Sequence, residues 1–223
     1  MSESTRIPDH CRYVAVNPDD HHLSIASGPV PTPGAGDVLI KVHSAGINRA
    51  DLLQRNGLYP PPADASPILG LEVAGTVQAV GVEAGKWQVG DRVCALTHGG
   101  GYAEYAVAPV GQCMPIPTGF SKGEAAALPE ALLTIWHNLF QRAGLQAGEK
   151  VLIHGGASGI GTMGVLICST LGAEVYTTAG SDEKCRALEA RGATRAINYK
   201  SEDFEQVLTE LGLNNRINVI LDM

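Results

Sequence analysis

Residues 150–181 read KVLIHGGASGIGTMGVLICSTLGAEVYTTAGS, and their pattern is the strongest indication of the fold. Residues 151–153 are a short apolar run, which is typical of a parallel strand buried on both faces. A glycine-rich turn follows, and apolar residues then recur at helical spacing, at Ile160, Met163, Ile167 and Leu171. Residues 174–178 are rich in β-branched and aromatic side chains, which predicts a second strand. The stretch therefore predicts a strand–turn–helix–strand unit of about 30 residues, the length of a dinucleotide-binding element.

The glycines of this turn are spaced G-x-x-G-x-G, at Gly156, Gly159 and Gly161, rather than the usual G-x-G-x-x-G, and Ser158 takes the place of the middle glycine. Such a turn lets the backbone approach a pyrophosphate, and a helix N-terminus supplies N–H groups and a positive dipole end. We therefore predict a nucleotide phosphate site in the turn, made of Gly156, Ala157, Ser158, Gly159, Ile160 and Gly161. The alternative is a glycine turn that only packs the helix on the strand.

Composition excludes several classes of function. The chain has 223 residues, a net charge of −7 and 44% hydrophobic residues, which argues against a nucleic-acid-binding face or a basic membrane patch. No apolar run reaches the roughly 18 residues of a spanning helix, and the N-terminus lacks the apolar core of a secretory signal. The five cysteines are scattered and form no C-x-x-C pair, which predicts thiols rather than disulfides. We expect a cytoplasmic protein without membrane or nucleic-acid partners.

The pattern changes near residue 117. Before it, short strands alternate with glycine turns, which predicts a small β-barrel. After it, helices and strands alternate, which predicts a doubly wound α/β sheet. We predict an N-terminal extension over 1–11, a β domain over 12–130 and a nucleotide-binding domain over 131–223. Because only four strands of that second domain are present, where such a fold usually has six, we expect the chain to be a piece of a longer enzyme.

Five motifs in order resemble the medium-chain dehydrogenases/reductases: Asn48-Arg-Ala-Asp51, Gly70-Leu-Glu-x-x-Gly75, Val89-Gly-Asp91, Pro129-Glu-Ala-x-x-Thr134 and His154-Gly-Gly-x-Ser-Gly-x-Gly161. Within that superfamily the chain resembles the zinc-free, zeta-crystallin-like NADPH:quinone oxidoreductases. The resemblance implies an α/β plus β architecture, with a GroES-like β-barrel catalytic domain followed by a partial Rossmann domain.

The resemblance also bears on zinc. Members of the zinc-dependent branch carry a cysteine ligand where this chain has Asn48, and a histidine ligand where it has Leu71. A leucine side chain cannot bind a metal, and a catalytic zinc site needs three protein ligands. The sequence therefore predicts no zinc, and the reduction of simple alcohol/aldehyde pairs becomes an unfavoured reaction.

The end of the second predicted strand selects the cofactor. An NAD site usually has an acidic residue there, which accepts a hydrogen bond from the ribose 2′-hydroxyl. In this chain Ala179 occupies that position. The donors that a 2′-phosphate needs are present nearby, in Gly180, Ser181 and Lys184. The resemblance adds Tyr199 to this phosphate site and places Thr134 near the nicotinamide carboxamide. We predict NADPH as the cofactor; the alternatives are a helix N-cap for Ser181 and a solvated face for Lys184 and Tyr199.

By resemblance, Tyr59, Asn48 and Asp51 lie beside the nicotinamide and form the catalytic group. A phenol such as that of Tyr59 can hydrogen-bond a quinone oxygen, although it can also be a loop aromatic that covers a domain seam. For Asn48 and Asp51 the alternative is an N-cap and a first-turn carboxylate of their own helix, and for Asp51 we favour it. We expect Glu72, His137 and His154 to have structural roles.

Three functions remain open. The first is an NADPH-dependent quinone oxidoreductase that reduces quinones or related conjugated carbonyls without zinc. The second is an enoyl or alkenal double-bond reductase, and the third is a non-catalytic NADPH-binding protein. The expected partner is a small-molecule quinone or enone. Full-length members of the resembling family are usually homodimers that pair sheet edges beyond residue 223, so we expect this chain not to form that dimer.

Overall fold

The computed structural model describes residues 6–222 and divides the chain into two units, one ending at Glu130 and the other beginning at Ala131. Residues 1–5 of the predicted extension lie outside the described residues. Strand β1 already begins at His10, two residues before the predicted start of the β domain. No helix within 6–222 is long and apolar enough to cross a bilayer.

Unit 1 is a curled antiparallel sheet with an added hairpin. The hairpin pairs β1 (His10–Val16) with β2 (Leu23–Pro29). The main sheet has the order β6-β3-β4-β5-β7. Its strands are β3 (Asp37–Ala45), β4 (Glu72–Val80), β5 (Arg92–Leu96), β6 (Tyr105–Pro109) and β7 (Cys113–Pro115). The short strand β7 and the 3₁₀ turn Val110–Gln112 before it are absent from the sequence-based prediction.

The interior of this sheet is filled from alternate positions of its strands. Val38, Ile40, Val73, Val77 and Val93 point to one face and are fully buried. Two β-bulges in the pairing of β3 with β4 bend the sheet around this core. The result is a curled half-barrel, whereas the glycine-punctuated strands predict a small β-barrel.

Two short helices belong to unit 1, and a third crosses into unit 2. Helix α1 (Arg49–Arg55) follows β3, and α2 (Lys122–Ala126) is capped by Ser121. Helix α3 (Pro129–Ile135) continues into a π-helix (Trp136–Arg142). The sequence predicts one helix over 121–140 with a break at Pro129; the break is confirmed, but the π-helix carries no sequence signal.

Unit 2 is a four-stranded parallel sheet with the order β10-β9-β8-β11. Its strands are β8 (Lys150–Ile153), β9 (Glu174–Ala179), β10 (Arg195–Asn198) and β11 (Val219–Leu221). Helices α4 (Gly159–Thr170), α5 (Asp182–Glu189) and α6 (Phe204–Glu210) connect them. This is the partial doubly wound fold predicted from residues 150–181, and residues 151–153 of β8 are buried as expected.

Helix α4 packs through a face of small residues. Gly161, Gly164, Val165 and Cys168 are its buried positions, whereas Leu171 is 46% exposed. The predicted apolar stripe, which includes Ile160, Met163 and Ile167, packs against the core only in part. The contact face therefore lies one position beyond the stripe, because small side chains let the helix approach the sheet closely.

Truncation of a buried side chain tests the core of unit 1. We expect Ile40→Ala to destabilise this unit by about 2–5 kcal/mol, since Ile40 is fully buried and the change leaves a cavity. Val82 is 72% exposed, so Val82→Ala serves as the control, with an expected change within about 0.5 kcal/mol. Urea denaturation followed by circular dichroism measures both, and equal destabilisation by the two variants would contradict the assignment.

Candidate functional site

Thr178 of β9 stabilises the glycine turn between β8 and α4 by accepting hydrogen bonds from it. The Oγ1 atom of Thr178 accepts a hydrogen bond from the Gly155 N–H at 3.2 Å, and its backbone carbonyl accepts one from the Gly156 N–H at 2.9 Å. The Nδ1 atom of His154 lies 3.2 Å from the same Oγ1. His154 therefore supports the turn, which is the structural role expected from the sequence.

Two glycines of the turn leave no room for a side chain. A Cβ on Gly161 would overlap the carbonyl oxygen of Gly155, and a Cβ on Gly156 would overlap the hydroxyl of Thr177. Gly159, in contrast, faces open space. The first and last glycines of the G-x-x-G-x-G motif thus allow close packing of helix on strand, and the middle one leaves the surface of the turn accessible.

Backbone donors remain available at this surface. The Oγ atom of Ser158 caps α4 by accepting the Gly161 N–H at 2.9 Å. Within residues 6–222, the N–H groups of Ala157, Gly159 and Ile160 have no hydrogen-bond acceptor. Unsatisfied N–H groups at a helix N-terminus form an anion-binding site. The turn therefore fits the pyrophosphate of a dinucleotide by chemistry as well as by shape.

The end of β9 brings together the residues predicted to select the cofactor. Ala179 is buried, and Ser181 caps α5 by accepting the Lys184 N–H at 3.3 Å. A Cβ on Gly180 would lie 2.7 Å from the hydroxyl of Tyr199, which is itself 57% exposed. The structure thus places Tyr199 against Gly180 and puts Ser181 in the N-cap role named as its alternative.

Near the end of β9 lies a further cation, Lys200, that the sequence analysis does not predict. The Cε atom of Lys200 lies 3.6 Å from the Cβ position of Gly180, so Lys200 joins Lys184 near the end of β9. Its only sequence signal is that it follows Tyr199. The nearby carboxylate of Asp182 accepts a hydrogen bond from the Asn198 amide at 2.6 Å and is thereby occupied.

Thr134 lies in α3, two residues before the π-helix begins at Trp136. Its backbone carbonyl accepts a hydrogen bond from the Asn138 side-chain amide at 2.9 Å. His137 has its Nδ1 atom 3.0 Å from the Gln141 Oε1, and its side chain is exposed. His137 is therefore a surface residue, as the sequence suggests.

In unit 1, the predicted catalytic residue Asp51 is embedded in hydrogen bonds. It is 2% exposed, and its carboxylate accepts from the Asn48 N–H at 2.8 Å, the Gly70 N–H at 3.2 Å and the Tyr102 hydroxyl at 2.9 Å. This carboxylate ties the start of α1 to the loop before β4. This geometry fits the alternative given for Asp51, a first-turn carboxylate of its own helix. The hydrogen bond from Tyr102 is not predicted by the sequence.

Asn48 is joined to a second buried carboxylate. Its side-chain amide donates to the Glu72 Oε1 at 2.9 Å, and the Glu130 N–H donates to the Glu72 Oε2 at 2.9 Å. Burial raises the pKa of Glu72, although these two hydrogen bonds oppose the rise. Glu72 thus holds Asn48 and the start of α3 in place.

Tyr59 contrasts with these residues. Its side chain is 51% exposed, and its neighbour Leu58 is 71% exposed. No partner of the Tyr59 hydroxyl is present within residues 6–222, so this phenol is available to a ligand. A cavity of about 850 Å³ in unit 1 lies along β1 and β6 and is lined by none of Tyr59, Asn48 and Asp51.

The described residues include no cluster of three or more histidine, cysteine or carboxylate side chains arranged to hold a metal. At the two positions where the zinc-dependent branch has ligands stand Asn48, which is bound to Glu72, and Leu71. The absence of zinc from this protein remains a prediction.

Two family models match the chain in the order of its units. The alcohol dehydrogenase GroES-like domain matches residues 34–118, and the model named zinc-binding dehydrogenase matches residues 159–223.

Individual relatives agree with these models. The chain is 34% identical to the mouse (Mus musculus) quinone oxidoreductase over 197 residues, which cover 87% of the chain and 60% of that protein. It is 37% identical over 196 residues to a phenolphthiocerol/phthiocerol polyketide synthase of Mycobacterium tuberculosis, covering 85% of the chain and 9% of that protein.

Among solved structures, the chain is similar to the CurK enoyl reductase. The TM-score is 0.81 and the sequence identity 31%, covering 96% of the chain and 67% of that structure. The chain thus spans about three fifths of the quinone oxidoreductase it matches and a small part of the polyketide synthase. With a GroES-like unit followed by a partial Rossmann sheet, the chain belongs to the medium-chain dehydrogenase/reductase superfamily and has quinone oxidoreductases among its relatives.

Proposed function

We propose that this protein is an NADPH-dependent quinone oxidoreductase that reduces quinones or related conjugated carbonyls without zinc. The proposal rests on the turn at Gly156–Gly161, where close packing leaves no room for a side chain at Gly156 or Gly161 and three N–H groups have no acceptor within residues 6–222. NADPH, when bound, supplies the hydride. The quinone acceptor is suggested by the quinone oxidoreductase among the relatives.

In this proposal, unit 2 holds the cofactor by its phosphates. The N–H groups of Ala157, Gly159 and Ile160 bind the pyrophosphate, supported by the positive end of α4. Lys184, Lys200 and the Tyr199 hydroxyl bind the 2′-phosphate, because a doubly charged phosphate favours cationic and hydroxyl donors. Ala179 offers no carboxylate to a ribose hydroxyl, which disfavours NADH.

In this proposal, unit 1 supplies the hydrogen-bond donor that contacts the substrate. The exposed Tyr59 phenol hydrogen-bonds a quinone oxygen and stabilises the negative charge that develops there as the ring is reduced. Asn48 and Asp51 act through structure, because their side chains are held by Glu72, Gly70 and Tyr102. Their contribution is to fix the start of α1 and the loop before β4.

A second candidate is an enoyl or alkenal reductase, which the 31% identity to the CurK enoyl reductase favours. It uses the same cofactor site and differs in the acceptor. A non-catalytic NADPH-binding protein is the third possibility.

Cofactor affinity tests the 2′-phosphate site. Titration of nicotinamide fluorescence should give tighter binding of NADPH than of NADH. We expect Lys184→Ala to weaken NADPH binding about tenfold, the effect of one charge-assisted hydrogen bond, and to leave NADH binding unchanged. Arg186→Ala, which removes a cation from the same helix, is the control. Equal affinity for the two cofactors, or NADPH binding that is unaffected by Lys184→Ala, would exclude this site.

The acceptor is tested by turnover. Steady-state oxidation of NADPH with a panel of quinones and a panel of enals should show the higher kcat/KM for quinones. Tyr59→Phe should lower kcat/KM for quinones roughly tenfold, since it removes one hydrogen bond that strengthens with charge, while Tyr13→Phe in the hairpin should have no effect. Higher activity on enals would favour the second candidate. NADPH binding without turnover on either panel would favour the third.

The buried carboxylates give a pH-dependent prediction. Burial raises the pKa of Glu130, and the neighbouring Glu72 and Asp51 carboxylates add to the rise. Because its folded-state pKa lies above the unfolded value of 4.5, the protein loses stability as the pH rises from 4.5 through the folded-state pKa. Glu130→Gln removes this loss, so the variant should melt at a higher temperature than the parent at pH 7.5 and equally at pH 4.

The Glu124 carboxyl makes stability depend on pH in the opposite direction, and Glu124→Gln removes that contribution. Hydrogen bonds with Ser121 lower the pKa of this exposed carboxyl, so its stabilising effect is present at neutral pH and is lost as the pH falls through the folded-state pKa. Melting temperatures from pH 4 to 8 measure both variants. The same pH dependence in the parent and in Glu130→Gln would contradict the assignment of the buried carboxylate.

A further inference from the structure

The turn that ends helix α1 contains the one Asn-Gly pair of the sequence, Asn56-Gly57. Gly57 has a φ of 69°, and its N–H donates to the carbonyl of Gln54 at 3.0 Å. The N–H of Leu58 donates to the carbonyl of Leu53 at 2.9 Å. These two bonds form a Schellman motif, which favours glycine because residues with a Cβ are strained at a positive φ. The glycine is therefore present to end the helix.

An asparagine that precedes glycine is chemically reactive. The peptide nitrogen of the following residue attacks the side-chain amide carbon, and glycine hinders this attack least because it has no Cβ. A Cβ placed on Gly57 would have no atom of residues 6–222 within 4 Å, and Asn56 is exposed. Water therefore reaches the reacting atoms. Every other asparagine of the chain precedes proline or a residue with a side chain.

The neighbouring Arg55 activates the same amide. Its Nε–H donates to the Oδ1 atom of Asn56 at 3.3 Å. A cationic donor on this oxygen draws electrons from the attacked carbon and stabilises the negative charge that develops on the oxygen as the new bond forms. The amide nitrogen of Asn56, which leaves, has no acceptor in the described part of the chain. The nucleophile, the attacked carbon and the activating cation thus share one exposed turn.

We propose that Asn56-Gly57, activated by Arg55, is a site of spontaneous deamidation, and that its isoaspartyl product displaces Tyr59. The Gly57 nitrogen loses its proton to solvent and forms a bond to the Cγ atom of Asn56. The Cγ–Nδ2 bond breaks, and Nδ2 leaves as ammonia, which gives a cyclic succinimide. Water then opens the ring at either carbonyl and yields aspartate or isoaspartate, so the net change consumes water and releases ammonia.

The Schellman motif controls the rate of this reaction. The Gly57 N–H must leave the Gln54 carbonyl before its nitrogen can attack, so the end of α1 has to open first. Helix α1 has seven residues, and the last turn of a short exposed helix opens readily. We therefore expect the folded chain to react, and to react more slowly than the unfolded chain.

The isoaspartyl product changes the path of the main chain. Its backbone runs through the former side chain, which adds one carbon between α1 and Gly57. This extra carbon breaks the geometry of the bond from Leu58 to Leu53, and the exposed phenol of Tyr59, the next residue, moves with it. The aspartyl product keeps the backbone unchanged and adds one negative charge beside Arg55. The effect on turnover rests on the role proposed above for Tyr59, whereas the modification does not.

Peptide mapping of the folded chain, kept in mildly alkaline buffer, measures the reaction. The peptide that contains Asn56 should gain the mass of an amide converted to an acid, and electron-transfer fragmentation should identify isoaspartate there. Asn56→Gln should block the reaction, because glutamine has to form a larger ring. Arg55→Met should slow it about fivefold, the effect of one exposed charge-assisted contact. Arg49→Met, which removes a cation from the start of the same helix, should have no effect.

Two results of this mapping would overturn the proposal. The first is modification of Asn56 in urea but not in the folded chain, because the Schellman motif would then protect the site. The second is an equal rate in Arg55→Met and Arg49→Met, because Arg55 would then not activate the amide.

Turnover separates this inference from the proposed function. As isoaspartate accumulates, kcat/KM for quinones should fall in proportion in the parent and stay constant in Asn56→Gln, while NADPH affinity stays unchanged in both. Isoaspartate that forms without loss of turnover would overturn the displacement of Tyr59. A freshly prepared chain that reduces no quinone would overturn the proposed activity, while the mass measurement still decides the modification.

Discussion

Where α4 begins, the backbone of Gly161 lies so close to Gly155 and Gly156 that a Cβ atom would overlap them. This contact brings the helix onto β8 and aims its first N–H groups at the surface of the turn. The Ser158 cap and the Thr178 bonds hold the turn in the same position. The cofactor site proposed for unit 2 depends on this close contact. A larger distance between α4 and β8 would move the N–H donors of the turn out of reach of a single anion.

Unit 1 is built on a different constraint, the burial of carboxylates. Asp51 and Glu72 are almost inaccessible, and backbone or side-chain donors satisfy them. They fix the segment between β3 and α1 to the segment before β4. Removal of one partner from such a group leaves an unsatisfied buried charge. This network explains why Asn48 and Asp51, which resemblance marks as catalytic, are structural in their visible contacts, while the exposed Tyr59 remains able to meet a substrate.

The sequence predicts the parts of this structure that depend on local pattern. The apolar run at 151–153, the glycines of the turn and the Ser181 cap are visible because each acts within a few residues. The π-helix, strand β7 and the contact of Lys200 with the end of β9 are not, because each depends on the surrounding packing. The same holds for Glu72 and Asn48, which are 24 residues apart.

The proposed cofactor site requires the end of β9 and the glycine turn to form one phosphate-binding surface. Backbone amide shifts in NMR spectra, recorded as adenosine 2′,5′-bisphosphate is added, test it most directly. We expect the largest shifts at Ala157, Gly159, Ile160, Gly180 and Ser181, and smaller shifts with adenosine 5′-monophosphate. Equal shifts with both nucleotides, or shifts confined to unit 1, would contradict it.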